Sequence, residues 1–146
     1  MRTTLSLLLL FFLAAIGCGG DDALNSPTAK KLTTLATMFM DYAVAKTGGA
    51  PANEDQFKQH IRSVPDFVLQ DRGIDPKNVD VLFKSERDQE PFVVIYGKGL
   101  TEISGNSKQV IAHEKTGVNG KKLVVFGSTK VALVSETELE QLKAGK

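Results

Sequence analysis

QVIAHEKTGVNGKKLVVFGSTKVALVSETELE, residues 109–140, decides the fold class. Three runs rich in β-branched residues lie in it, at 109–114, 122–126 and 130–134, each too short for a stable helix and separated by glycine-bearing turns. Gly127-Ser128-Thr129 has the length of a hairpin connection between the last two. Ser135 followed by Glu138 is a capping box, and it opens a final helix that buries Leu139 and Leu142. Upstream, FVVIY at 92–96 reads as a central strand. Val79, Val81 and Phe83 alternate and read as one more.

Towards the N-terminus the period becomes helical. Ser26-Pro27 is a helix start, with serine at the N-cap and proline at the first helical position, where its missing N–H costs nothing. Leu32, Leu35, Phe39 and Tyr42 then share one face, Lys46 falls in the last turn, and Gly48-Gly49 ends the helix. Asn53 with Gln56 is a second capping box, opening a short helix that buries Phe57 and Ile61 before Pro65 breaks it. Residues 67–69 read as a further turn of helix before Gly73, and Asp75-Pro76 as a turn or the start of another short element. Helices precede strands that lie close enough in sequence to pair antiparallel. The expected class is therefore α+β: an amphipathic helix and a short second one on a small antiparallel sheet of about four to five strands, closed by a short C-terminal helix.

The first seventeen residues are of another kind. Arg2 provides a positive start, and residues 5–16 are apolar except for Ser6, too short to span a bilayer and suited to the core of an export signal. The run ends in Ala15-Ile16-Gly17-Cys18, small residues leading into the one cysteine of the chain. This resembles the lipobox of bacterial lipoproteins, which implies cleavage before Cys18. A thioether to diacylglycerol would then form on the thiol, and a further acyl chain on the freed amine. More than one chain makes a stable anchor, at about 0.8 kcal/mol per buried CH₂. An ordinary secretory signal would leave an unpaired thiol in an oxidising compartment without a use. Gly19, in place of aspartate, points under enterobacterial sorting rules to the outer membrane, with the domain in the periplasm or at the cell surface. Three segments are thus expected: a signal peptide at 1–17, the lipidated Cys18 with a flexible tether at 18–25, and one domain at 26–146.

Charge excludes one class of partner. The chain has 18 Lys+Arg against 17 Asp+Glu, and removal of Arg2 with the leader leaves 17 of each. Lys30-Lys31 and Lys121-Lys122 are the longest basic runs, whereas nucleic-acid binding needs a concentrated basic face.

Several stretches resemble lipoproteins and pilin-like proteins of planctomycetes, and more distantly the pilin and pseudopilin fold. They are Tyr42 with Gly48-Gly49-Ala50-Pro51, Phe57-Lys58, LFKSERD at 82–88, PFVVIYG at 91–97, Ala112-His113-Glu114 and residues 120–131. The likeness covers roughly residues 32–134 and is a pattern of core and turn residues without a catalytic signature. It implies a helix packed on a small antiparallel sheet and a role in an envelope assembly. Two features depart from it. The long apolar N-terminal helix with its glutamate, by which pilins polymerise, is replaced by the lipobox. The hairpin after Phe126 carries Ser128-Thr129 where those relatives have Asp-Gly.

Chemistry is sparse. His60 reads as a helix residue at the solvent edge and His113 as a surface or cross-strand residue, and no Gly-x-Ser-x-Gly elbow supports a serine nucleophile. Two distant histidines and one lipidated cysteine make no zinc pattern. Glu86, Asp88 and Glu90 match no calcium loop and read as a charged loop between strands, with Arg87 paired to one of those neighbours. Gly97-Lys98-Gly99 lacks the rest of a phosphate-binding motif and ends a strand. Phe39, Tyr42, Phe57, Phe83, Phe92 and Phe126 belong to the core. No cofactor, metal or nucleic acid is expected. The expected function is a non-enzymatic, membrane-anchored lipoprotein that binds an envelope protein. A periplasmic module for a small ligand or ion is the alternative, and an enzyme without a recognisable motif the second.

Overall fold

The computed structural model describes residues 20–101 and 105–145. Cys18 and the leader lie outside the described residues. Helix α1 covers Gly20–Leu24, α2 Pro27–Ala45, α3 Glu54–Ser63 and α4 Asp66–Asp71. A 3₁₀ turn at Val79–Phe83 precedes strands β1 (Val93–Val94), β2 (Val110–His113), β3 (Lys121–Phe126) and β4 (Val131–Ser135), and α5 (Glu136–Lys143) ends the chain. The four strands form one antiparallel sheet in sequence order. The fold is α+β, with a short C-terminal helix.

Local chemistry accounts for the helices. The Ser26 hydroxyl accepts from Ala29 N at 3.2 Å. From there α2 buries Leu32, Leu35, Ala36, Phe39 and Ala43 on one face. At its end Gly48 N donates to Ala43 O at 2.7 Å, with φ near +89° at Gly48. Asn53 caps α3 through Gln56 N at 2.9 Å, but the Gln56 amide oxygen takes Ala52 N, one residue before the cap. At α5 both halves of the Ser135/Glu138 box are formed.

The sheet separates two apolar layers. On one side Ile111, Ala112, Leu123 and Val125 pack with α2, Phe57 and Ile61 of α3, and the 3₁₀ turn. Phe57 sits edge-on between Phe39 and Phe83, with ring centroids 5.5 and 5.7 Å apart. On the other side Val110, Val124 and Val134 lie with Leu139, and Leu142 and Phe126 pack half-buried against them. The register of β2 makes this possible. Val110 pairs with Phe126 and Ala112 with Val125, so Ile111 is an extra residue on β2. This bulge turns Ile111 and Ala112 to the same layer, and all four β2 residues are buried.

Three expectations are corrected. Residues 79–83 are a 3₁₀ turn rather than a strand: Val79, Leu82 and Phe83 are buried and Val81 is exposed, a period of three that alternation disguised. The run at 92–96 supplies only Val93–Val94, at the edge of the sheet and not its centre. Beyond Ile95, whose N–H meets Ile111 O, the chain turns away and Gly97 N bonds Pro51 O. Residues up to Asn25 do not all form a tether, because Ala23 is 6% exposed and belongs to the main core.

Candidate functional site

The densest polar constellation lies where the Ser85-Glu86-Arg87-Asp88-Gln89-Glu90 loop meets the end of β2. The loop is pinched shut by a Lys84–Pro91 bridge and by Ser85 N donating to Glu90 O at 3.0 Å. Thr28, buried in the first turn of α2, accepts from Glu86 N and Arg87 N at 3.0 and 3.2 Å. Ser85 is buried too; its hydroxyl accepts from Arg87 N and Asp88 N and donates to Glu114 Oε1 at 3.0 Å.

Glu114 is the centre of this arrangement and has no solvent exposure. Arg87 Nε reaches the same Oε1 at 3.0 Å, while Oε2 accepts from Leu123 N at 2.8 Å. The last bond continues the β2–β3 ladder by unusual means. Glu114 N donates to Leu123 O in the ordinary way, but the returning Leu123 N–H is met by the Glu114 side chain. The Glu114 carbonyl is turned elsewhere, to His113 Nδ1 at 2.7 Å. A carbonyl only accepts, so Nδ1 carries the proton and Nε2 of the neutral ring is a bare acceptor, buried and with no partner among the described residues. Burying a carboxylate costs several kcal/mol, and here a guanidinium, a hydroxyl and an amide offset it.

The acids of the loop diverge. Glu86 pairs with Lys31 at 2.8 Å and Glu90 with Lys115 at 3.1 Å. Asp88 Oδ2 accepts from Thr116 N and Gly117 N at 3.0 and 2.8 Å. Its burial raises the carboxyl pKa, the bonds from Gly117, Thr116 and Glu90 N–H groups lower it, and the net direction is downward. Gly117 is needed there: at φ near +75° a Cβ would lie 2.3 Å from Lys121 O. Arg87 thus pairs with Glu114, twenty-seven residues on, and not with an acid of its own loop as expected. No group of three or more His, Cys, Asp or Glu that would hold a metal occurs among the described residues.

The histidines are apart. His60 is half-buried on α3, its ring edge-on to Tyr42 with centroids 5.1 Å apart. His113 is 5% exposed and pairs across the sheet with Val93 and Val124, so of its two readings, surface or cross-strand, the second holds. Burial lowers the pKa of each: for His60 against Asp41 and with Lys46, for His113 against the Glu114 carbonyl and Glu136 and with Lys143 and Lys122. Of the expected core aromatics only Phe126 is half-buried.

One cleft of about 380 Å³ opens between the start of β2 and the end of α5, with Lys98, Thr101, Gln109 and Lys143 on its walls. Gln109 already accepts from Thr101 and donates to Gly99 O, and Lys143 pairs with Glu140. Sequence reasoning missed Thr28, Ser85 and Glu114. The available signal was a glutamate directly after the apolar VIAH run, together with an arginine among acids. Compared with known proteins, the chain matches no protein-family model, no curated protein and no solved structure.

Proposed function

We propose that this chain is an envelope lipoprotein held by acyl chains on Cys18, whose domain is a non-enzymatic protein-binding module of the pseudopilin-head type. The observation that carries the reading is the loop at 85–90. Its buried groups are bonded inward, to Thr28, Glu114 and the Thr116–Gly117 turn, so it is a preorganised surface and not a reactive centre. Glu86, Gln89 and Pro91 face solvent from it, and the chain then enters β1, the open edge of the sheet, where Val93 is exposed. A rigid loop beside the edge strand of the sheet suits an extended segment of another protein.

The test is crosslinking in intact cells followed by mass spectrometry, on the wild type and the Cys18→Ala and Val93→Lys variants. Partners recovered with the wild type and lost in both variants are expected. Recovery of the same proteins with all three would sink the proposal. The mature N-terminal peptide is read in the same experiment: cleavage after Gly17 and a diacylglyceryl adduct on Cys18 are expected. A second reading, a small-ligand module, is favoured by the cleft at Lys98 and Lys143. It requires a thermal shift with an anionic solute, because a ligand of the native state raises apparent stability.

A further inference from the structure

Ala23 fixes how far the domain stands from its anchor. Its side chain is in the core, and α1 packs along β4, the sheet edge opposite β1. Five residue steps separate Ala23 from Cys18, about 17 Å if fully extended at roughly 3.4 Å per residue. The helical rise of about 1.5 Å per residue from Gly20 to Ala23 cuts that to about 11 Å. A thioether-linked glycerol lies at the floor of the headgroup layer, itself about 5–8 Å thick on each side of a bilayer. Little chain is left to hold the domain clear of the lipid.

From this length we infer that the α1–β4 edge rests against the phospholipid surface and that the β1 edge is turned away from it. The inference rests on the lipid anchoring proposed above. The surface at this edge fits such a partner. An open groove of about 420 Å³ runs between α1, α2 and β4, lined by Leu24, Ala29, Lys30, Thr33, Thr34 and Val131. Leu24 is 41% exposed, and Lys30 is exposed with no carboxylate partner among the described residues. An apolar side chain and a long cationic one suit the boundary between acyl chains and phosphates. Exposed Asp22 opposes Lys30, so charge does not draw the edge down; the short tether does. The orientation is therefore insensitive to salt.

The test uses the full lipidated chain in phosphatidylethanolamine–phosphatidylglycerol vesicles. Acylation occupies Cys18, so Thr34→Cys and Val93→Cys each add a single labelling site for a fluorophore, to be quenched by headgroup spin-labelled lipid. Quenching several-fold stronger at 34 than at 93, unchanged in high salt, is expected. A Gly-Ser insertion between Gly19 and Gly20 is expected to erase the contrast. Equal quenching at both sites in protein whose mass carries the acyl adduct overturns the inference alone, as does a contrast that survives the insertion. A mass without the adduct overturns the anchoring and the inference with it.

Discussion

Glu114 shows why burial and pairing have to be weighed together. Replacing it by alanine leaves Arg87 half-buried without a counter-charge and removes acceptors from Ser85 and Leu123 N. The expected loss is about 3–5 kcal/mol, read as a lower midpoint in urea. Glu114→Gln keeps the shape and one acceptor and loses less. Glu86→Ala is the control: its carboxylate is 53% exposed beside Lys31, and the expected change is within about 1 kcal/mol. If the two alanine variants cost the same, the loop is not held from Glu114. At Thr129 the backbone is left-handed, with φ near +62°, a poor place for a β-branched residue. Thr129→Gly is expected to stabilise by about 0.5–1 kcal/mol, measured as a rise in Tm. The sequence showed that Ser128-Thr129 replaces a more usual turn pair, but not that the strain falls on Thr129. Nor did it show which acid Arg87 would meet, because their separation along the chain is closed only by the sheet.

At the scale of elements, legibility followed the range of the forces involved. Helix caps act over three residues, and the side chains of Ser26, Asn53 and Ser135 all accept the N–H their spacing implied, although only Ser135 completes its box, Gln56 reaching Ala52 N instead of Asn53 N. The β3–β4 hairpin was equally plain, since its turn and both strands are contiguous. Residues 79–83 and 92–96 were misread because their apolar content is set by what packs on them. Phe83 is apolar for Phe57, and Val93–Val94 reach the ladder only at its rim. Helix α5 is the element most dependent on one residue. Leu139 is its fully buried side chain, in a small layer with Val110, Val124 and Val134. Leu139→Ala is expected to cost about 2–5 kcal/mol and to detach α5 before the sheet melts. Hydrogen exchange reads this directly: α5 amides should lose protection while those of β3 keep theirs, and equal loss in both would show a single cooperative unit.

At the scale of the whole molecule, the two faces of the sheet meet in the response to acid. His113 lies on β2, paired with Val93 and Val124, and His60 lies on α3 across the sheet. Burial lowers the pKa of both below the ordinary 6.5. Above that value both folded and unfolded chains are neutral at these rings, so their contribution to stability is fully present. As pH falls below 6.5 the unfolded chain takes up protons first, and stability declines until the folded values are reached. A second decline follows at lower pH. Asp88 has a folded pKa below the ordinary 3.8, so its contribution, present above 3.8, is lost as pH falls through the folded value. The urea midpoint should therefore drop in two stages on acidification. His113→Leu lowers stability at every pH, because the Glu114 carbonyl loses its donor. It should nevertheless flatten the first stage, leaving the part due to His60, and leave the second intact. An unchanged first slope in that variant would show that His113 is not the group that takes up the proton.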